Sequence, residues 1–174
     1  MTNRSTAEAT AYLGLGGNLG DPRASMAAAL RALDASEEIR VVAVSSLYRT
    51  PPWGKTDQPD FLNAVAEVAT ALSPRELLDR CLEAERELKR VRKERWGPRL
   101  IDLDILWFDG RHIAEDDLEI PHPRMLDRAF VLVPLAEIAP DLILGGESAT
   151  SRARSIDRSG IVKLDVGPMW WRSD

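Results

Sequence analysis

The chain is poor in the residues that often announce a function. It has one cysteine, Cys81, in 174 residues, which excludes an intramolecular disulfide and any cysteine-rich zinc site. It has only two histidines, and a lone histidine is more often structural or exposed than catalytic. No apolar run approaches membrane-spanning length. Met1 to Thr10 are polar and lack the apolar core of a signal peptide, so the expectation is a soluble, cytoplasmic protein with no membrane partner. Basic residues are not in excess: the formal net charge is −5, which argues against a general nucleic-acid coat. The P-loop pattern is absent. A dinucleotide fingerprint fails on spacing, because after Gly14 and Gly16 the third glycine position is Leu19.

What remains reads as one globular domain over residues 1–174, with 44% hydrophobic and 29% charged residues. Residues 1–10 are expected to be disordered, and 141–174 form a divergent C-terminal segment. Tyr12 to Leu15 is a short apolar strand entering the turn Gly16-Gly17-Asn18-Leu19-Gly20. Asp21 caps a helix with Pro22 in its first turn and Met26, Leu30 and Leu33 on its apolar face. Valine-rich Ile39 to Tyr48 is the next strand. Arg49 to Pro59 is a stiff loop holding Pro51, Pro52 and Trp53, and Asp60 to Thr70 returns as a strand with Phe61, Asn63 and Val65 on one face. Trp53 and Phe61 read most simply as core or loop anchors, although two aromatics bracketing such a turn can also wall a pocket for a flat ring.

Ser73 to Arg90 is a helix. Ser73 and Glu76 make a capping box around Pro74, and Leu77, Leu78, Cys81, Leu82 and Leu88 form its stripe. Glu85 falls inside that stripe, where a carboxylate needs a partner. A structural ion pair and a functional role are both open for it. Ile101 to Phe108 is a strand on which Asp102 and Asp104 share one face while Ile101, Leu103 and Ile105 share the other. Phe130 to Ile138 reads as helix. Ile161 to Val166 reads as an edge strand, with Trp170 and Trp171 packing back on the body.

The chemistry concentrates in Arg90–Asp104, RVRKERWGPRLIDLD. Cations stand at one end (Arg90, Arg92, Lys93, Arg95), Trp96 and Arg99 in the turn, and the Asp102/Asp104 pair at the other end. A polyphosphate with its metal ions needs both signs, since carboxylates hold metals and arginines hold phosphate oxygens. The bland alternative for the aspartates is the wet face of an amphipathic strand.

Several blocks in this order resemble one family. They are Arg49-Thr50-Pro51-Pro52-Trp53-Gly54, then Phe61-Leu62-Asn63-Ala64, then Arg95-Trp96-Gly97-Pro98-Arg99 through Asp102-Leu103-Asp104-Ile105, then Ile120-Pro121-His122-Pro123 with Arg128 and Phe130. From about Tyr12 to Pro140 the chain resembles the 6-hydroxymethyl-7,8-dihydropterin pyrophosphokinases of folate biosynthesis. The resemblance implies an α+β fold: a ferredoxin-like core, a mostly antiparallel sheet with helices packed on it, and mobile active-site loops. It implies transfer of the β,γ-diphosphate of ATP to the pterin hydroxymethyl oxygen, giving AMP. Asp102 and Asp104 would then hold two Mg²⁺ ions, and Arg90 and Arg99 would steady the polyphosphate as the catalytic arginines. Glu85, Arg92, Ile105, His122 and Arg128 would serve ATP. Thr50, Pro51, Trp53, Phe61, Asn63, Trp96 and Phe130 would line the pterin pocket. The partners expected are these two small molecules, with no nucleic acid, for a monomer.

Three departures from the family pattern stand out. The Arg90–Trp96 loop is one residue short, Asp117 replaces a basic residue, and the chain beyond Asp141 matches nothing familiar. A ferredoxin-like RNA-binding module is the competing reading, with the arginine cluster as contact patch and Trp96 stacking a base. An inactive scaffold relative is a third.

Overall fold

β1 (Ala9–Gly17) is the spine of the sheet. Its odd-numbered residues Ala11, Leu13 and Leu15 are almost wholly buried on one face, and both of its edges are paired. The computed structural model describes residues 7–52, 57–89 and 101–172. After β1 come α1 (Pro22–Asp34), β2 (Ile39–Val44), β3 (Tyr48–Thr50), β4 (Phe61–Thr70), α2 (Pro74–Lys89) and β5 (Asp102–Phe108). Then follow the hairpin β6 (Ile113–Glu115) and β7 (Leu118–Ile120), a 3₁₀ turn at Met125–Asp127, and α3 (Ala129–Ile138). Last are the small hairpin β8 (Ile143–Leu144) and β9 (Glu147–Ser148), α4 (Ala149–Ser155) and β10 (Val162–Lys163).

The main sheet runs β10-β3-β4-β1-β5, with β2 also on β4, and every pairing is antiparallel. Treating β2 and β3 as one bent strand gives β-α-β-β-α-β connectivity with the first strand inside, the ferredoxin-like arrangement. The α+β fold with a mostly antiparallel sheet is therefore as the sequence implies. The bend has a local cause. The Ser45 N–H donates to the Val65 carbonyl, and the Ser45 hydroxyl accepts from the Val65 N–H, each at 2.9 Å. That side chain replaces a ladder bond, so the single strand expected over Ile39–Tyr48 is two.

Helices α1 and α2 lie on one face of the sheet. Met26, Leu30 and Leu33 bury there beside Leu13, Leu15, Leu103 and Ile105, and each such side chain removed from water stabilises by roughly 1.5–3 kcal/mol. Asp21 caps α1, its Oδ1 accepting from the Ala24 N–H at 3.1 Å. Ser73 and Glu76 cap α2 reciprocally, at 3.2 and 3.1 Å. The stripe of α2 is narrower than expected. Leu77 and Cys81 are fully buried and Leu78 and Leu88 pack partly buried against the core, but Leu82 is 40% exposed. The opposite sheet face is covered at one end, where α3 and α4 pack Leu132 and Leu135 against Tyr12, Val65 and Leu106.

Two boundaries move. Ala9 and Thr10 pair with Thr70 and Ala69 and belong to the sheet, not to a disordered start. Gly16 and Gly17 extend β1, so the turn falls at Asn18–Gly20, with Gly20 at φ 61°. Beyond Asp141 the described residues carry regular structure: α4 was not anticipated, β10 pairs with β3, and Trp170 and Trp171 are buried at 3% and 4% exposure. Among the described residues, no helix is long and apolar enough to cross a membrane.

Candidate active site

The end of the α3 face that α3 and α4 do not cover carries polar residues that the sequence singled out. In β5, Leu103 and Ile105 turn toward α1 and α2, which leaves Asp102 and Asp104 on the opposite face. Across the β1 ladder their partners are Gly16 and Gly14, and across β4 Gly16 faces Asn63. One row of the sheet therefore reads Tyr48, Asn63, Gly16, Asp102. The glycines keep the floor low between the amide and the carboxylates. A Cβ on Gly16 would lie 2.9 Å from Asn63 Oδ1, and one on Gly14 would lie 3.3 Å from Leu106 Cδ2.

Asn63 is 7% exposed, and its Nδ2 donates to Thr50 Oγ1 at 3.0 Å. This bond spends one amide hydrogen on Thr50 and fixes which way the amide faces. Phe61, half-buried, stands opposite Thr50 on the same face. Phe130, at the start of α3, is half-buried against the Tyr12–Val65–Leu106 cluster, and the Arg128 guanidinium lies 5.5 Å over its ring. A flat ring entering this face would thus find aromatic carbon beside a fixed amide.

The outer edge of β5 is capped at two points. Glu85 Oε1 accepts from the Leu103 N–H at 2.7 Å, so α2 is hydrogen-bonded to the strand that bears the aspartates. Burial pushes the Glu85 carboxyl up from its ordinary value. The Leu103 bond and Lys89, 3.6 Å away, oppose that, while Asp102 and Asp104 reinforce it. Glu85 thus has structural partners, the Leu103 N–H and Lys89. Further along, the His122 N–H donates to the Leu106 carbonyl at 2.9 Å, and His122 Nδ1 accepts from the Arg124 N–H at 3.2 Å. Burial lowers the His122 pKa; Asp104 pulls it upward, and Arg128 and Arg124 downward. A neutral ring with Nδ1 as acceptor presents its Nε2–H to a ligand.

The structure thus gathers Thr50, Phe61, Asn63, Asp102, Asp104 and Phe130 on one sheet face, with Glu85, His122 and Arg128 at its margin. Ile105 departs from expectation in one respect. Its side chain is 5% exposed in the α1/α2 core, leaving its main chain as the part a nucleotide could meet. Pro51 is exposed at the end of β3. Trp53, Arg90, Arg92, Trp96 and Arg99 lie outside the described residues. Asp117, the acid where a cation was expected, takes both its carboxylate oxygens to Arg75 Nη1 at 2.7 Å and is tied to α2.

Two contributors escaped the sequence reading. Gly14 read as part of a short strand and Gly16 as a turn glycine, because only strand register shows them facing the aspartates. Asn18, 2% exposed, donates to Gln58 Oε1 at 3.1 Å and to the Pro59 carbonyl at 3.3 Å, tying the β1–α1 turn to the segment entering β4. A polar residue inside a glycine turn was the available signal.

The donor set suits a hard cation. Two carboxylates share a face over a glycine floor. That matches Mg²⁺, which takes one or two carboxylates and completes its shell with water and phosphate oxygens.

The fold is α+β with a mostly antiparallel sheet, and the relatives of the chain make it a transferase of the kinase type. The sequence model of the family "7,8-dihydro-6-hydroxymethylpterin-pyrophosphokinase (HPPK)" matches residues 12–140. A Methylorubrum extorquens protein named 2-amino-4-hydroxy-6-hydroxymethyldihydropteridine pyrophosphokinase is 52% identical over 155 residues, covering 89% of this chain and 98% of its own. Proteins of the same name from Haemophilus influenzae and Bacillus subtilis are each 48% identical, over 78% and 74% of this chain and 84% and 77% of theirs. The chain belongs to this family of folate-pathway pyrophosphokinases. Plasmodium falciparum HPPK-DHPS structures share the fold. One superposes with a TM-score of 0.69 at 16% identity, over 87% of this chain and 46% of that one. The chain spans less than half the length of those two-enzyme chains.

Proposed function

We propose that this chain uses Mg²⁺ to move the β,γ-diphosphate of ATP onto the hydroxymethyl oxygen of 6-hydroxymethyl-7,8-dihydropterin, releasing AMP. The observation that carries the proposal is the row Asn63, Gly16, Asp102, with Asp104 beside it. It puts a side-chain amide and a carboxylate pair on one sheet face, with glycine as the strand residue between them, which supports a ring-reading role for the amide and a metal-holding role for the pair. In this reading the hydroxymethyl oxygen bonds to the β-phosphorus, the bond from that phosphorus to the AMP oxygen breaks, and the hydroxyl proton leaves. Asp102 and Asp104 are the residues that would hold two Mg²⁺ ions, which when bound supply neutralisation of polyphosphate charge. Arg90 and Arg99 serve the phosphates as bidentate donors, and Arg92 assists them. Asn63, oriented by Thr50, reads the pterin edge. Phe61 and Phe130 take its faces, and Pro51, Trp53 and Trp96 close around it. Glu85 holds the aspartate strand in place from behind, His122 donates from Nε2 to the nucleotide, and Arg128 adds positive charge at the same margin. The chain acts as a cytoplasmic monomer without a nucleic-acid partner, in keeping with its net charge of −5.

Asp104→Asn tests the metal assignment, because it keeps the side-chain shape and removes the charge. Turnover should fall at least about a hundredfold, and the Mg²⁺ concentration needed for half-maximal rate should rise. Unchanged turnover at unchanged Mg²⁺ would remove the role given to this residue.

A further inference from the structure

We infer that the C-terminal tail is a positioning element for the pterin pocket, acting through the seat of Gly160 on Pro51. The proposal rests on the assignment of Pro51, Thr50 and Asn63 to that pocket. β3 is only three residues long and carries Thr50 at its end. Without β10 it would be the edge of the sheet, where short strands fray. The tail covers it. Val162 pairs with Arg49, Lys163 pairs with Tyr48, and the Leu164 N–H donates to the Leu47 carbonyl at 2.8 Å.

The tail is held at both ends of this contact. On the far side, Trp170 Nε1 donates to the Ser45 carbonyl at 2.9 Å, and Arg31 Nη1 donates to the Trp171 carbonyl at 3.1 Å; both indoles are buried. On the near side, Asp157 Oδ1 accepts from the Ser159 N–H at 2.9 Å and from its hydroxyl at 2.5 Å, shaping the turn that delivers Gly160. Gly160 has φ +82°, and a Cβ there would lie 3.1 Å from both Cγ and Cδ of Pro51. The turn is pressed against the proline ring. Pro51 follows Thr50, whose hydroxyl orients the Asn63 amide. A chain of direct contacts and covalent bonds therefore runs from the tail to the group proposed to read the pterin, and none of it involves the aspartates.

Two glycines of the tail provide a matched test. Gly160 and Gly167 both have positive φ, +82° and +74°, but a Cβ on Gly167 meets nothing within 4 Å. Both alanine variants carry similar backbone strain; only Gly160→Ala pushes on Pro51. In AMP-release assays on the full chain, Gly160→Ala should raise the pterin KM about fivefold and leave the ATP KM within about a factor of two. Gly167→Ala should leave both KM values unchanged while lowering Tm by a comparable amount. Asp157→Ala, at an exposed position, loosens the same turn gently and should raise the pterin KM about twofold. A pterin KM unmoved in Gly160→Ala, or ATP and pterin KM values rising together, would overturn the brace. A wild-type protein forming no AMP would overturn the pocket assignment, and the brace with it.

Discussion

Gly16 shows how much of this site depends on a missing side chain. It stands between Asn63 and Asp102 in one row of the sheet, and its lack of a Cβ lets the Asn63 amide lie over the backbone. Gly16→Ala places a methyl group 2.9 Å from Asn63 Oδ1, closer than real contacts allow. The amide must then turn away from Thr50 or toward the pocket. Losing one oriented hydrogen bond of this kind costs about 1–3 kcal/mol. Pterin affinity by calorimetry should therefore fall roughly tenfold to a hundredfold, with ATP affinity unaffected. An unchanged pterin affinity would show that Asn63 does not read the ring. The contrast with Asp102 and Asp104 is instructive. Their alternation with Ile101, Leu103 and Ile105 was legible in the sequence, because a strand's period of two assigns faces directly. The part played by Gly14 and Gly16 was not, because it depends on which residues β1 brings opposite, and register cannot be read from one strand.

At the scale of elements, α2 links the core to the site. Leu77 and Cys81 anchor it, and Glu85, next along the same line, caps the Leu103 N–H. Cys81 has no exposed surface, and burial, aided by Glu85 and Asp104, pushes its thiol up to about 12. The thiolate is the reactive form. A thiol reagent at pH 8 should thus leave the native protein unlabelled and react only as α2 separates from the sheet, at a rate that follows unfolding in denaturant. Rapid labelling in native buffer would mean that α2 is loosely held. The caps of α1 and α2 and the strand character of β4 and β5 were legible because they rest on local chemistry: Asp21 before Pro22, Ser73 three residues before Glu76, and apolar runs of strand length. The break between β2 and β3 was not, since it depends on Ser45 meeting Val65 from another strand. Nor was α4, a seven-residue helix in an arginine- and serine-rich segment. Its burial of Ala149 and Ala153 against α3 is what holds it in place.

At the scale of the whole molecule, the sheet divides labour between its faces. One face is sealed by α1 and α2 and supplies most of the core. The other is half covered by α3 and α4, and the half that these helices leave carries the candidate site. A ferredoxin-like sheet can also present such a face to RNA, but here that face bears Asp102 and Asp104, which would repel a phosphate backbone in the absence of a metal ion. Family membership points the same way. The arginine-rich loop, which gave the sequence its most specific signal, lies outside the described residues, and the partnership of Arg90 and Arg99 with the aspartates belongs to the proposed function. The most direct measurement is product analysis with the pure protein, Mg²⁺, ATP and 6-hydroxymethyl-7,8-dihydropterin. The account predicts AMP that appears only with the pterin and equals the pterin diphosphate formed. ADP as the nucleotide product, or AMP released without the pterin, would contradict it.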